Sequence, residues 1–100
     1  MARWRRWVFE LRAPADEFSR HLERALTSKG IRVTPATVFD FQARALGARA
    51  FVKVEWAETG LAMVVKVKSG FFASPAGLER LLLDAGREAQ ARLTFGVDVS

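Results

Sequence analysis

The chain has 100 residues, half of them hydrophobic, and sixteen Lys and Arg stand against eleven Asp and Glu for a formal net charge of +5 and a pI of about 10.7. A single domain over residues 1–100 follows, large enough to bury roughly two-thirds of the surface its unfolded chain would expose, so neither metal nor disulfide is needed to hold it. Cysteine is absent, which excludes disulfides, thiolate metal sites and cysteine nucleophiles. No stretch approaches the roughly 18 consecutive apolar residues of a membrane span. The basic start MARWRRW runs into Glu10, Arg12 and Asp16 before any apolar core of signal-peptide length, so a cytoplasmic location is expected. Arginine far outnumbers lysine beside abundant Ala, Leu and Gly, a bias that genome base composition also produces, which weakens the charge as a pointer to a polyanion partner.

Residues 3–12 alternate as a first strand, with Trp7, Phe9 and Leu11 on one side and Trp4, Arg6, Val8, Glu10 and Arg12 on the other. Pro14 stops it. Pro14-Ala15-Asp16-Glu17 then supplies the proline and acidic residues that suit a first helical turn. Phe18, Leu22, Ala25 and Leu26 form one apolar stripe, Asp16 and Arg20 pair one turn apart on the solvent side, and Gly30 is the exit. Ile31 to Thr34 returns the chain, Pro35 interrupts it, and a second strand runs from Val38 to Arg44. Leu46-Gly47 turns it into the third. A connection from Ala45 to Ala48 pairs Phe41 with Val52 and Phe39 with Val54.

The stretch from Ala50 to Phe72 reads as a hairpin, because Val52, Val54 and Trp56 alternate with Lys53, Glu55 and Ala57, and Met63, Val65 and Val67 alternate with Val64, Lys66 and Lys68. A Thr59-Gly60 turn sets Trp56 opposite Met63, Val54 opposite Val65 and Val52 opposite Val67. It also sets Lys53 against Lys66, an unfavourable pair; a shift of two residues would put Glu55 opposite Lys66 with Gly60-Leu61 as the turn. Beyond Gly70-Phe71-Phe72, Ser74 and Pro75 mark the N-cap and first position of a second helix. Leu78, Leu81, Leu82, Ala85, Ala89 and Leu93 line one side of it, with Arg80-Asp84 and Glu88-Arg92 as pairs on the other. Gly86 costs about 1 kcal/mol of helix propensity, so it marks either a close helix-to-sheet crossing or simple tolerance. Thr94 to Val99 is expected to be extended or frayed.

The expected fold is α+β in the order β-α-β-β-β-α, a four-stranded antiparallel sheet with two helices packed on its apolar face. Its other face should carry Lys53, Glu55, Lys66 and Lys68, with Val38, Asp40, Gln42, Phe51 and Val64 among them.

The run from Phe9 to Phe18, a strand ending in Ala13-Pro14-Ala15-Asp16-Glu17 and entering a short helix, resembles the start of START-type, polyketide-cyclase-like helix-grip proteins. Those proteins continue with antiparallel strands and close on a long C-terminal helix, to which Ser74 to Leu93 is similar. The resemblance implies a sheet curled around the last helix and an apolar small molecule held between them. The β-β-β-α half also resembles the double-stranded-RNA-binding domain, whose basic start of the last helix has no counterpart in Ser74-Pro75-Ala76-Gly77-Leu78-Glu79.

The leading expectation is therefore a small non-enzymatic binding module, with an apolar ligand in a pocket lined by Trp7, Phe9, Phe18, Phe41, Trp56, Leu78 and Leu82; the same residues in a filled core are the plainer alternative. Nucleic-acid binding is the second. Arginines neutralise phosphates and aromatic rings stack on bases, so Arg3, Arg5 and Arg6 beside two tryptophans, with Lys53, Lys66 and Lys68 near Phe51, are its candidates, against a solvated outer face. A homodimer joined through Val38, Phe51 and Val64 on that face is the third. No cofactor is expected. His21, the only histidine, lies at the edge of the first helix's apolar stripe with no partner ligands at metal spacing. Asp40 and Glu55 are carboxylates among lysines on an open sheet, which is ordinarily surface charge rather than acid–base machinery, and no catalytic residue is named.

Overall fold

Two-residue alternation of apolar and polar side chains builds one sheet, and two amphipathic helices cover its apolar side. The computed structural model describes residues 4–37, 39–45, 47–69 and 75–99. In chain order these form β1 (Trp4–Phe9), α1 (Ala15–Ser28), β2 (Arg32–Pro35), β3 (Asp40–Ala45), β4 (Ala48–Ala57), β5 (Gly60–Ser69) and α2 (Pro75–Val99). The sheet has five strands in the order β1-β5-β4-β3-β2, and every neighbouring pair is antiparallel.

The fold is α+β, as expected, but the sheet has one strand more than four. The returning segment after α1 is itself a strand, β2, paired with β3 at the edge of the sheet. Pro35 ends it, and a proline is tolerated there because an edge strand is bonded on one side only. Thr37 closes the following turn, its hydroxyl accepting from the Asp40 and Phe39 amides at 3.0 and 3.2 Å. β1 and β2 are the two edges. α1 therefore carries the chain from one side of the sheet to the other, and β2 to β5 follow as a meander.

The β3–β4 register pairs Phe41 with Val52, and the Val54 amide donates to the Phe39 carbonyl at 3.0 Å, in agreement with the alternation of the two strands. Ala45 pairs with Ala48 across the turn, where Gly47 adopts φ 73°, a left-handed conformation that favours glycine. Leu46 lies outside the described residues, as do Arg3, Val38, Gly70, Phe71, Phe72 and Ser74 with its expected N-cap.

The β4–β5 hairpin corrects the expected register. Ala57 pairs with Gly60, so Glu58-Thr59 is the turn, and Val54 faces Met63, Val52 faces Val65 and Ala50 faces Val67. Gly60 belongs to the strand for a packing reason: a Cβ there would overlap the Phe9 carbonyl oxygen of β1 and lie 2.8 Å from the Leu11 nitrogen. The same register removes the Lys53–Lys66 clash, since Lys53 now faces Val64 and Lys66 faces Phe51.

Phe18, Leu22 and Leu26 of α1 and Leu78, Leu82, Ala85 and Ala89 of α2 meet Phe41, Val52, Met63 and Val65 of the sheet in one buried cluster. Asp16–Arg20 and Glu88–Arg92 close as ion pairs at 3.8 Å on the helix exteriors, whereas Arg80 and Asp84 form none among the described residues. Lys29 at the end of α1 reaches Glu88 of α2 at 3.3 Å, tying the helices together. The segment from Thr94 to Val99 continues α2 rather than running extended. No helix among the described residues is long and apolar enough to cross a membrane.

Gly86 marks a close crossing. A Cβ on it would stand 2.5 Å from Phe9 Cζ, and the Phe9 ring is itself held against Phe18, with centroids 5.4 Å apart. Gly86→Ala gains about 1 kcal/mol of helix propensity but forces the ring or the helix to move. Overpacking of this kind costs about 1–3 kcal/mol, so the variant should lower the denaturant midpoint, and Phe9→Leu added to it should restore part of the loss. A midpoint that rises in Gly86→Ala alone would contradict the crossing.

Candidate functional site

Side chains that point away from the helices share the sheet's open face, and the strand registers align them in rows. One row runs Lys68, Arg49, Arg44, Arg32 from β5 to β2, each directly opposite the next. Adjacent strands are about 4.8 Å apart, so the row spans about 14 Å. The next row runs Trp4, Lys66, Phe51, Gln42, Thr34 across all five strands. A third holds Arg6, Val64, Lys53 and Asp40, and a fourth Val8, Ala62 and Glu55.

Like charges directly opposite one another destabilise a sheet, and the first row contains three such contacts in succession. Nothing among the described residues neutralises them: Arg32, Arg44, Arg49, Lys53, Lys66 and Lys68 make no ion pair, while Arg6 meets Glu55 at 3.7 Å. Asp40 and Glu55 are the carboxylates of this face, and both lie beyond the aromatic row from the four cations. The positive charge is thus concentrated at one end.

Each aromatic ring of the second row carries two cations. Lys53 Nζ and Lys66 Nζ lie 5.3 and 5.8 Å from the Trp4 ring centroid. The Arg49 guanidinium and Lys68 Nζ lie 5.3 and 5.9 Å from that of Phe51. Such contacts hold long side chains over the ring faces with modest energy at exposed sites. Trp4 is 49% exposed and Val8, in the fourth row, 45%, so this face carries large apolar side chains at the surface beside its cations.

Of the residues expected to bind nucleic acid, Arg6, Lys53, Lys66 and Lys68 meet on this face. Arg5 does not join them: it lies opposite Val65 on the helix side and pairs with Glu79 of α2 at 3.3 Å. Arg3 is outside the described residues. The residues missed by sequence reasoning are Arg32, Arg44 and Arg49, whereas Trp4 was already among the aromatic rings expected beside the N-terminal arginines. The signal for two of them was present in Ala43-Arg44-Ala45-Leu46-Gly47-Ala48-Arg49-Ala50, where pairing Phe41 with Val52 already sets Arg44 against Arg49, while Arg32 joins them only through the unexpected strand β2.

The residues expected to line an apolar pocket divide. Phe9, Phe18, Phe41, Leu78 and Leu82 are buried in one cluster, and Trp7 packs at its margin. Trp56 is 58% exposed at the far end of β4, where it lines an open cleft of about 510 Å³ with Arg12, Ala13, Pro14, Ala57, Glu58 and Gly60. That cleft lies at the hairpin tip. His21 is half-buried on α1, and burial holds the Glu23 carboxyl above its ordinary pKa. Among the described residues no group of three or more His, Cys, Asp or Glu is arranged to hold a metal ion.

No protein-family model, curated protein or solved structure matches the chain.

Arg44 stands between Arg32 and Arg49, so Arg44→Glu replaces two repulsive cross-strand contacts with attractive ones. Stability should rise by about 0.2–1 kcal/mol per contact at low ionic strength and by less at high salt, measured by urea unfolding. A loss of stability in this variant would mean that the four side chains do not repel one another as aligned.

Proposed function

We propose that the protein is a non-enzymatic nucleic-acid-binding module that uses the open face of its sheet. The observation that carries this is the row Lys68, Arg49, Arg44, Arg32, four cations that make no ion pair among the described residues and that stand directly opposite one another across four strands, an arrangement that repulsion disfavours. A polyanion offsets that cost, because each phosphate seated between neighbouring cations turns repulsion into attraction and releases condensed counterions. Sheet faces that pair basic side chains with exposed rings are a known route to nucleic-acid binding, and here the exposed Trp4 and the half-buried Phe51 supply the rings.

Homodimerisation through this face has less support, since two copies would bring their rows of like charge together. An apolar ligand beneath α2 also has less support: Phe18, Phe41, Leu78 and Leu82 are buried together in one core cluster, and Trp56 lies outside it.

Fluorescence polarisation with labelled oligonucleotides at several salt concentrations tests the proposal. Contacts from four cations to a single strand give a slope of log K against log salt of about −3, and Arg44→Glu should weaken binding and flatten the slope by about 0.7. No binding at low salt would remove the proposal.

A further inference from the structure

We infer that the open face selects single strands over duplexes, seating one base on Trp4 and another on Phe51 while the row from Lys68 to Arg32 holds the backbone; this rests on the nucleic-acid reading above. Trp4 and Phe51 flank Lys66 in one row, two strands apart. Their backbone positions are therefore separated by about 10 Å along the row. Bases stacked in a helix follow one another at about 3.4 Å, and a duplex covers their faces on both sides. Only a strand with splayed, unstacked bases can present a base face to each ring.

The two rows are two residues apart along each strand, about 7 Å. That is comparable with the reach from a phosphate across its sugar to its base, so a strand running along the cation row can drop bases into the aromatic row. In the free protein the ring faces are occupied by Lys53, Lys66, Arg49 and Lys68, two cations crowding each ring. Their flexible side chains can swing off the rings onto phosphates as the bases arrive. Each such exchange opens a stacking surface, and at Phe51 it also relieves the repulsion between Arg49 and Lys68.

The test uses three labelled probes of equal length in the intact protein: an oligothymidylate, an abasic strand with the same backbone, and a duplex. The single strand with bases is expected to bind about 5- to 100-fold more tightly per seated base than the abasic strand, and more tightly than the duplex. Trp4→Leu with Phe51→Leu should bring it down to the abasic level with its salt slope unchanged, whereas Arg44→Glu should weaken all three probes. Equal binding of abasic and base-bearing strands, or a preference for the duplex, overturns the inference and leaves nucleic-acid binding standing. Failure of every probe to bind at low salt overturns that reading as well. The comparison of probes needs only the natural chain, so it decides even if the double variant fails to fold.

Discussion

Gly60 lies against the backbone at the end of β1, where any side chain would overlap the Phe9 carbonyl oxygen, and it is the first residue of β5, paired with Ala57, rather than a residue of the turn. A slip of one residue in β5 against β4 would turn Met63 and Val65 toward solvent while Val52 and Val54 stayed inward, and a slip of two would keep the faces but exchange every cross-strand neighbour. The second kind of slip matters most here. In the observed register Lys68 faces Arg49, and through Gly47 and the tight β3–β4 turn Arg49 faces Arg44. The hairpin register at one end of the sheet thereby sets the charge pattern at the other.

The two faces obey different rules. On the helix side, small residues let the layers close: Gly86 rests on the Phe9 ring, and Ala43, Ala50, Ala85 and Ala89 are fully buried. Interiors packed in this way are stabilised by contact and by the removal of apolar surface from water. On the open side, repulsion among Arg32, Arg44, Arg49 and Lys68 subtracts from that stability. A folded domain is marginally stable, so repulsion that removes even a fraction of its margin bears on the fold.

Much of this was legible in the sequence, and the failures have particular causes. The stripes of α1 and α2, the parity of both hairpins and the Phe41–Val52 pairing follow from alternation and helical spacing alone. From the sequence β2 reads as a return segment, because four residues ending in Pro35 carry too little pattern to distinguish an edge strand from a loop. The β4–β5 register was displaced because Thr59-Gly60 has the composition of a turn, while Gly60 is needed instead where β1 presses on the strand. Long-range contact decided that position, and no local signal encodes it. The cation row was missed for a related reason: Arg32, Arg44, Arg49 and Lys68 are scattered through the chain, and only four strands in register bring them together.

The most direct test of the account is a map of backbone amide chemical-shift changes as an oligonucleotide is titrated into the labelled protein. The account predicts changes centred on Arg44, Arg49, Phe51 and Lys66 and extending to Trp4 and Arg32, with the exposed sides of α1 and α2 unaffected. Changes confined to the helices, or to the cleft between Arg12 and Trp56, would contradict it.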